Sequence, residues 1–140
     1  AKAAALKAVI NEMSMTDSGF YCDNAYRRDG KLVLSGERTE SCQYYAFFCN
    51  IATPESHPWL WNTLVNDFGY ARAAKGLYPE IWPANAFIGN YLRLDLLDRH
   101  GLKDELYDNI KGYFTYMADQ TGTLWELVAN QASCFNRMGC

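Results

Sequence analysis

"ERTESCQYYAFFCNIA", residues 37–52, decides the fold. In its second half Tyr44, Tyr45, Ala46, Phe47, Phe48, Cys49 and Ile51 leave almost no polar face, so a helix here is buried on most sides. The next segment, residues 57–71, reads differently. Leu60, Trp61, Leu64, Val65 and Phe68 form one apolar stripe at helical spacing, Asn62, Asn66 and Asp67 face water, and Ser56 is the expected cap. A dry helix followed by a wet one is the signature of a helical hairpin with an inner and an outer member.

The alternation continues in both directions. Upstream, residues 2–15 carry Leu6, Val9, Ile10 and Met13 on one face and Lys7, Asn11 and Glu12 on the other. Downstream, residues 83–98 are apolar on most faces through Ala84, Phe87, Ile88, Tyr91, Leu92, Leu94, Leu96 and Leu97. Pro83 suits the first turn of that helix and Gly101 its end. Residues 103–118 return to a single stripe, Leu106, Ile110, Tyr113, Phe114 and Met117, and "TLWE", residues 123–126, leads to where a further dry helix would begin. Between the first two helices, "FYCDNAYRRDGKLVLSG" alternates loosely around Asp29-Gly30, which fits a short β-hairpin or a long ordered loop near residues 20–35.

Alternating inner and outer helices describe an α-solenoid or a closed α/α barrel. No side-chain pattern recurs at the period of roughly 20–50 residues that a solenoid requires, so the barrel is preferred. The expectation is an all-α fold, an α/α toroid of which residues 1–140 form a single partial domain, about half of an (α/α)6 barrel. The opening "AKAAALKAVINEM" has no cap before it and reads as a helix cut from something longer.

The net charge of -3 is spread without blocks of either sign, which argues against nucleic acid and anionic membrane as partners. No apolar run approaches the roughly 18 residues of a membrane span. Five cysteines at irregular spacing, without a CxxC, argue against a disulfide framework and a zinc site, and Cys42 and Cys49 read as small core hydrophobes on one helix. Aromatic residues make up 15% of the chain, many flanked by polar neighbours, a pattern that suits a ring-lined pocket or an interaction surface.

The long connections, residues 17–36, 72–82 and 119–126, all precede inner helices. One end of the barrel therefore collects Asp23, Asn24, Arg27, Glu37, Arg38, Glu40, Tyr78, Glu80, Trp82, Trp125 and Glu126. Carboxylates for proton transfer, polar groups for hydroxyls and flat rings for apolar sugar faces are the inventory of glycoside hydrolysis. The same residues also serve as helix-start charges, in the case of Glu37, Glu40 and Glu80, and as core anchors, in the case of Trp82 and Trp125. His57 and His100 fall at the opposite, short-loop end, neither with an expected serine or cysteine partner, and there is no GxSxG.

Three separated blocks, "DGKLVLSGERTESCQYYAFF", "LWNTLVNDFGYARAAKGLYPEIWPANAFIGNYLRLDLL" and "GTLWE...ASC", resemble the catalytic domain of bacterial α-L-rhamnosidases, over nearly the whole chain. The resemblance implies an (α/α)6 barrel and an inverting hydrolase that releases L-rhamnose from a rhamnose-containing glycoside or oligosaccharide. It implies that Glu126 is the general base that activates water, with Trp125 shaping the sugar site, and that the general acid lies upstream of Ala1. Family members follow "SC" with Asn-His-Gly, whereas here Phe135 and Asn136 stand there, so the family's sugar-binding histidine does not carry over.

The leading expectation is thus a rhamnosidase fragment with Glu126 catalytic, Trp125 and Trp82 as sugar-contacting rings, Glu80, Glu37 and Glu40 as hydroxyl or water ligands, and no metal or cofactor required. The alternatives are another (α/α)6 glycosidase, or an inactive helical fragment that self-associates through the exposed flanks of its inner helices. The compartment is not legible, and export of the full-length enzyme, periplasmic or extracellular, is compatible with it.

Overall fold

The computed structural model describes residues 2–85 and 87–124. It is helix-rich: α1 (Lys2–Ser14), a hairpin of β1 (Ala25–Arg28) and β2 (Lys31–Leu34), then α2 (Glu40–Phe48), α3 (Pro58–Asn66), α4 (Ile88–Arg99), α5 (Lys103–Ile110), a π-turn (Lys111–Thr115) and α6 (Tyr116–Thr121). Each of the two open readings of residues 20–35 is resolved in favour of the hairpin. Asp29 and Gly30 take φ of 50° and 77°, the left-handed pair that a two-residue hairpin turn demands, and Arg28 pairs with Lys31 across it.

The contrast between dry and wet helices holds. α2 buries Glu40, Gln43, Tyr44, Ala46 and Phe47, and α4 buries Leu92, Leu96 and Leu97 beside Gly89 and the polar Asn90 and Arg93, while α1 buries no residue and α5 only Asn109. α2 packs on α4, α3 follows α2 back along it, and α5 does the same for α4. Leu60, Leu64 and Phe68 seal the wet stripe of α3 and the turn after it against Phe20, Tyr44 and Phe47. Shortening the fully buried Leu64 to alanine is worth about 2–5 kcal/mol at such a site.

Several sequence boundaries are corrected by tertiary partners. α2 begins at Glu40, not at residue 37, because the Thr39 hydroxyl caps it by accepting from Cys42 N at 3.0 Å, and it ends where Asn50 turns left-handed at φ 55°. Ser56 is not the cap of α3: His57 holds that position and Pro58 takes the first turn. Thr53 and Ser56 instead bond each other's backbone N–H, at 2.9 Å and 3.2 Å, a reciprocal cap one turn earlier. Pro83 does not open α4, which starts at Ile88; the chain before it is held by a parallel bridge between Trp82 and Thr39.

Side chains depart from expectation too. Leu6, Val9 and Met13 of α1 are exposed, and Ile10 alone of that stripe packs on the core. Phe87, Ile88 and Tyr91 are exposed, so α4 is dry on one flank only. Cys42 is half-buried and Cys49 lies exposed at the C-cap of α2, not in the core. Many aromatic rings serve the interior instead of a pocket: Phe20, Phe68 and Tyr78 meet edge-on or stacked at 5.5–6.0 Å.

Candidate functional site

At the start of α2 three chain segments are tied together. The Asp23 carboxylate accepts from both the backbone N–H and the hydroxyl of Thr39, at 2.9 Å and 3.1 Å. Asp23 N donates to Glu37 O, Trp82 N to Arg38 O, and Glu40 N to Trp82 O, each at 2.9 Å. Of the eleven residues expected at one end, Asp23, Glu37, Arg38, Glu40 and Trp82 are tied together here, chiefly through backbone bonds.

Glu40 lies at the centre and is 3% exposed. Its Oε1 accepts from Arg72 Nε at 2.5 Å, and its Oε2 from the Tyr44 hydroxyl at 3.0 Å and from Ala84 N at 3.2 Å. A buried carboxylate needs such company, since desolvating an unpaired charge costs several kcal/mol. About four acceptor positions exist on a carboxylate, and three are taken, which narrows the hydroxyl-ligand role expected of Glu40 to one further bond. Arg72 commits three of its remaining four donors to Leu77 O, Tyr78 O and Ile81 O at 3.1, 2.6 and 2.7 Å, so one guanidinium ties the loop before α4 to the first turn of α2. Burial, and then the charge of Glu40, push the Tyr44 and Tyr113 hydroxyls above the usual phenol range, which keeps both protonated. Tyr113 donates to Ala84 O at 3.2 Å.

Beside Arg72 the loop opens into a hollow of about 320 Å³, walled by Leu77, Pro79, Ile81 and Pro83. Trp82 lines it with 64% of its surface exposed, so the core-anchor reading of this ring is set aside. A smaller hollow of about 70 Å³ adjoins it and reaches Glu40, Tyr70, Ala84 and Tyr113. A flat exposed ring between prolines, beside a fixed carboxylate–guanidinium pair, can stack on the apolar face of a sugar and orient its hydroxyls.

The other expected residues are distributed unevenly. Glu37 and Glu80 are exposed, and neither lines the Trp82 hollow. Trp125 and Glu126 lie outside the described residues. Arg27 stays in the hairpin, reaching Gly30 O at 3.4 Å, Arg38 donates to Ser18 Oγ at 2.7 Å, and the Tyr78 hydroxyl donates to Asp67 at 3.1 Å.

Sequence reading missed two buried cations. Arg72 gave no signal, sitting among alanines in a loop. Arg93 did: a lone charge within the leucines of α4 has to be satisfied internally. Its Nε donates to Asn109 Oδ1 at 3.1 Å and its guanidinium nitrogens to Leu64 O and Val65 O, capping the last turn of α3. Asn109 passes the network to Asn90 at 2.8 Å, and Asn90 Nδ2 has no hydrogen-bond partner among the described residues.

The expectation that neither histidine has a serine partner is overturned. Ser56 Oγ lies 2.8 Å from His57 Nδ1, and the Tyr21 hydroxyl 3.2 Å from Nε2. Ser56 Oγ is nonetheless engaged in the reciprocal cap with Thr53, and the adjacent hollow of about 270 Å³ is lined by Pro54, Pro58 and Trp61, not by Ser56. The arrangement links α1, through Asn11 and Tyr21, to the start of α3.

No family model, no curated protein and no solved structure matches the chain.

Proposed function

We propose that the chain is part of the catalytic barrel of a glycoside hydrolase acting by inversion on terminal α-L-rhamnosides. The observation that carries the reading is the exposed Trp82 ring lining one hollow with Arg72, whose buried ion pair with Glu40 stands at the start of a buried helix. Glu126, by resemblance, takes a proton from water as the water oxygen attacks the anomeric carbon. The bond from that carbon to the leaving oxygen breaks on the opposite face, and a general acid outside this chain protonates the leaving oxygen. The two carboxyl groups of such a pair stand roughly 6.5–9.5 Å apart to admit the water. Trp82 and Trp125 hold the ring, and Glu37 and Glu80 supply exposed acceptors for hydroxyls or water. Closure of the helical hairpins into an (α/α)6 toroid belongs to the same proposal.

The test is hydrolysis of an aryl α-L-rhamnoside by this chain and by a longer chain carrying the upstream half of the barrel, each with and without Glu126→Gln. Activity confined to the longer chain and abolished by the substitution is the expected result. An inactive longer chain would sink the assignment.

A second reading, an inactive fragment that self-associates, is favoured by one observation: Phe87, Ile88 and Tyr91 stand exposed on one flank of α4. Sedimentation equilibrium decides it, a strictly monomeric chain counting against it.

A further inference from the structure

We infer that the site takes an oligosaccharide lying along a furrow around residues 69–83, and not a single sugar ring; this rests on the carbohydrate reading above. The Trp82 hollow and the small hollow over Glu40 share Arg72, Ala73 and Pro83. The small hollow in turn shares Tyr70 with a third, of about 170 Å³, whose far wall is Lys75, Glu105 and Asp108. Small-ligand pockets span about 300–1,000 Å³. The Trp82 hollow alone sits at the bottom of that range, and the three hollows, which share walls in series, offer contacts beyond one ring.

The chemistry of the far hollow selects the ligand class. Two cations, Lys75 and Arg93, face two anions, Glu105 and Asp108, so the lining is balanced in charge while rich in both donors and acceptors. A charged ligand meets repulsion from one pair or the other, whereas a neutral, hydroxyl-rich one bonds to both. The floor is rigid: Arg93 is held by three acceptors and Asn109 by Arg93 and Asn90. Tyr70, 43% exposed, rests its ring on the backbone of Gly112, where a Cβ would collide with it, and presents a flat face at the junction of two hollows.

The experiment is calorimetric titration of the chain with L-rhamnose and with a rhamnose-terminated disaccharide and tetrasaccharide. The tetrasaccharide is expected to bind at least tenfold more tightly than the monosaccharide. Lys75→Ala with Asp108→Ala, both exposed positions, is expected to erase that gain and leave L-rhamnose affinity unchanged. Equal affinity for both sugars, lost in Trp82→Ala, would overturn the furrow and spare the site. Absence of binding to any of the sugars would overturn the carbohydrate reading and the furrow with it.

Discussion

Arg72 Nε stands 2.5 Å from Glu40 Oε1, with the two side chains 5% and 3% exposed, so a formal ion pair joins the loop before α4 to the first turn of α2 inside the protein. Removing one member leaves the other charge buried without a counter-ion. Arg72→Met is expected to lower the unfolding free energy by about 3–5 kcal/mol. Trp82→Ala, at a mostly exposed ring, is expected to change it by no more than about 0.5 kcal/mol. Urea unfolding of both variants checks the contrast, and similar losses in the two would refute it.

Gly69 is fixed by two independent demands. Its φ of 99° is a left-handed value, and a Cβ there would stand 2.7 Å from Asn109 Oδ1 and 2.9 Å from Arg93 Nε. Backbone strain and overpacking each cost about 1–3 kcal/mol, so Gly69→Ala is expected to lose at least about 2 kcal/mol. Thermal unfolding measures it; an unchanged midpoint would mean that Gly69 does not pack against the Arg93–Asn109 contact.

Histidine 57 makes stability depend on pH. Burial, and then the charge of Lys7, hold its ring below the ordinary histidine range. The unfolded chain therefore binds its proton at about pH 6.5, before the folded chain does. The unfolded state carries more protons in that window, so stability falls as pH is lowered through about 6.5 and on towards the folded value. His57→Gln is expected to flatten this segment of the profile, and a parallel profile for the variant would disprove the assignment.

Of the described cysteines, Cys49 is expected to alkylate first. It is exposed, whereas burial, and then the charge of Asp23, push the Cys42 thiol up to about 12. For Cys22, burial would raise the thiol, but the Ser35 hydroxyl and backbone groups of residues 24, 36 and 35 together outweigh it and hold it below the ordinary range. Its own burial still restricts access. Peptide mass spectrometry after brief iodoacetamide treatment at pH 8 reads the order directly, and early labelling of Cys42 would contradict it.

What could be read in advance was local. Asp29-Gly30 specifies its turn through two left-handed residues, whatever surrounds it. The leucines of α4 and the ring-rich run of α2 announce burial because few polar faces remain. The start of α2 was not legible, since Asp23 and Trp82 reach Thr39 from distant sequence, and a parallel bridge leaves no periodic trace. At the site, Glu40 and Trp82 stood out as a carboxylate and a ring ahead of helices. Arg72 did not, because its role depends on carbonyls at residues 77, 78 and 81 that nothing in the sequence distinguishes from others.

The predicted stripe after residue 103 shows a subtler limit. Leu106, Ile110, Tyr113 and Met117 follow an α-helical period, yet the buried positions are Asn109, Tyr113 and Met117, and Ile110 is 40% exposed. The π-turn at Lys111–Thr115 changes the phase between α5 and α6.

That phase shift makes chain length itself a specified quantity here. A one-residue deletion between Lys111 and Thr115 would convert the wide turn to a regular one and leave α6 facing as it does, whereas a one-residue insertion there would rotate everything beyond it by about 100°. In the insertion, Met117 would leave the interior without any change in its own identity. Single deletions in this segment should therefore be tolerated far better than single insertions, and a scan of both would register that asymmetry.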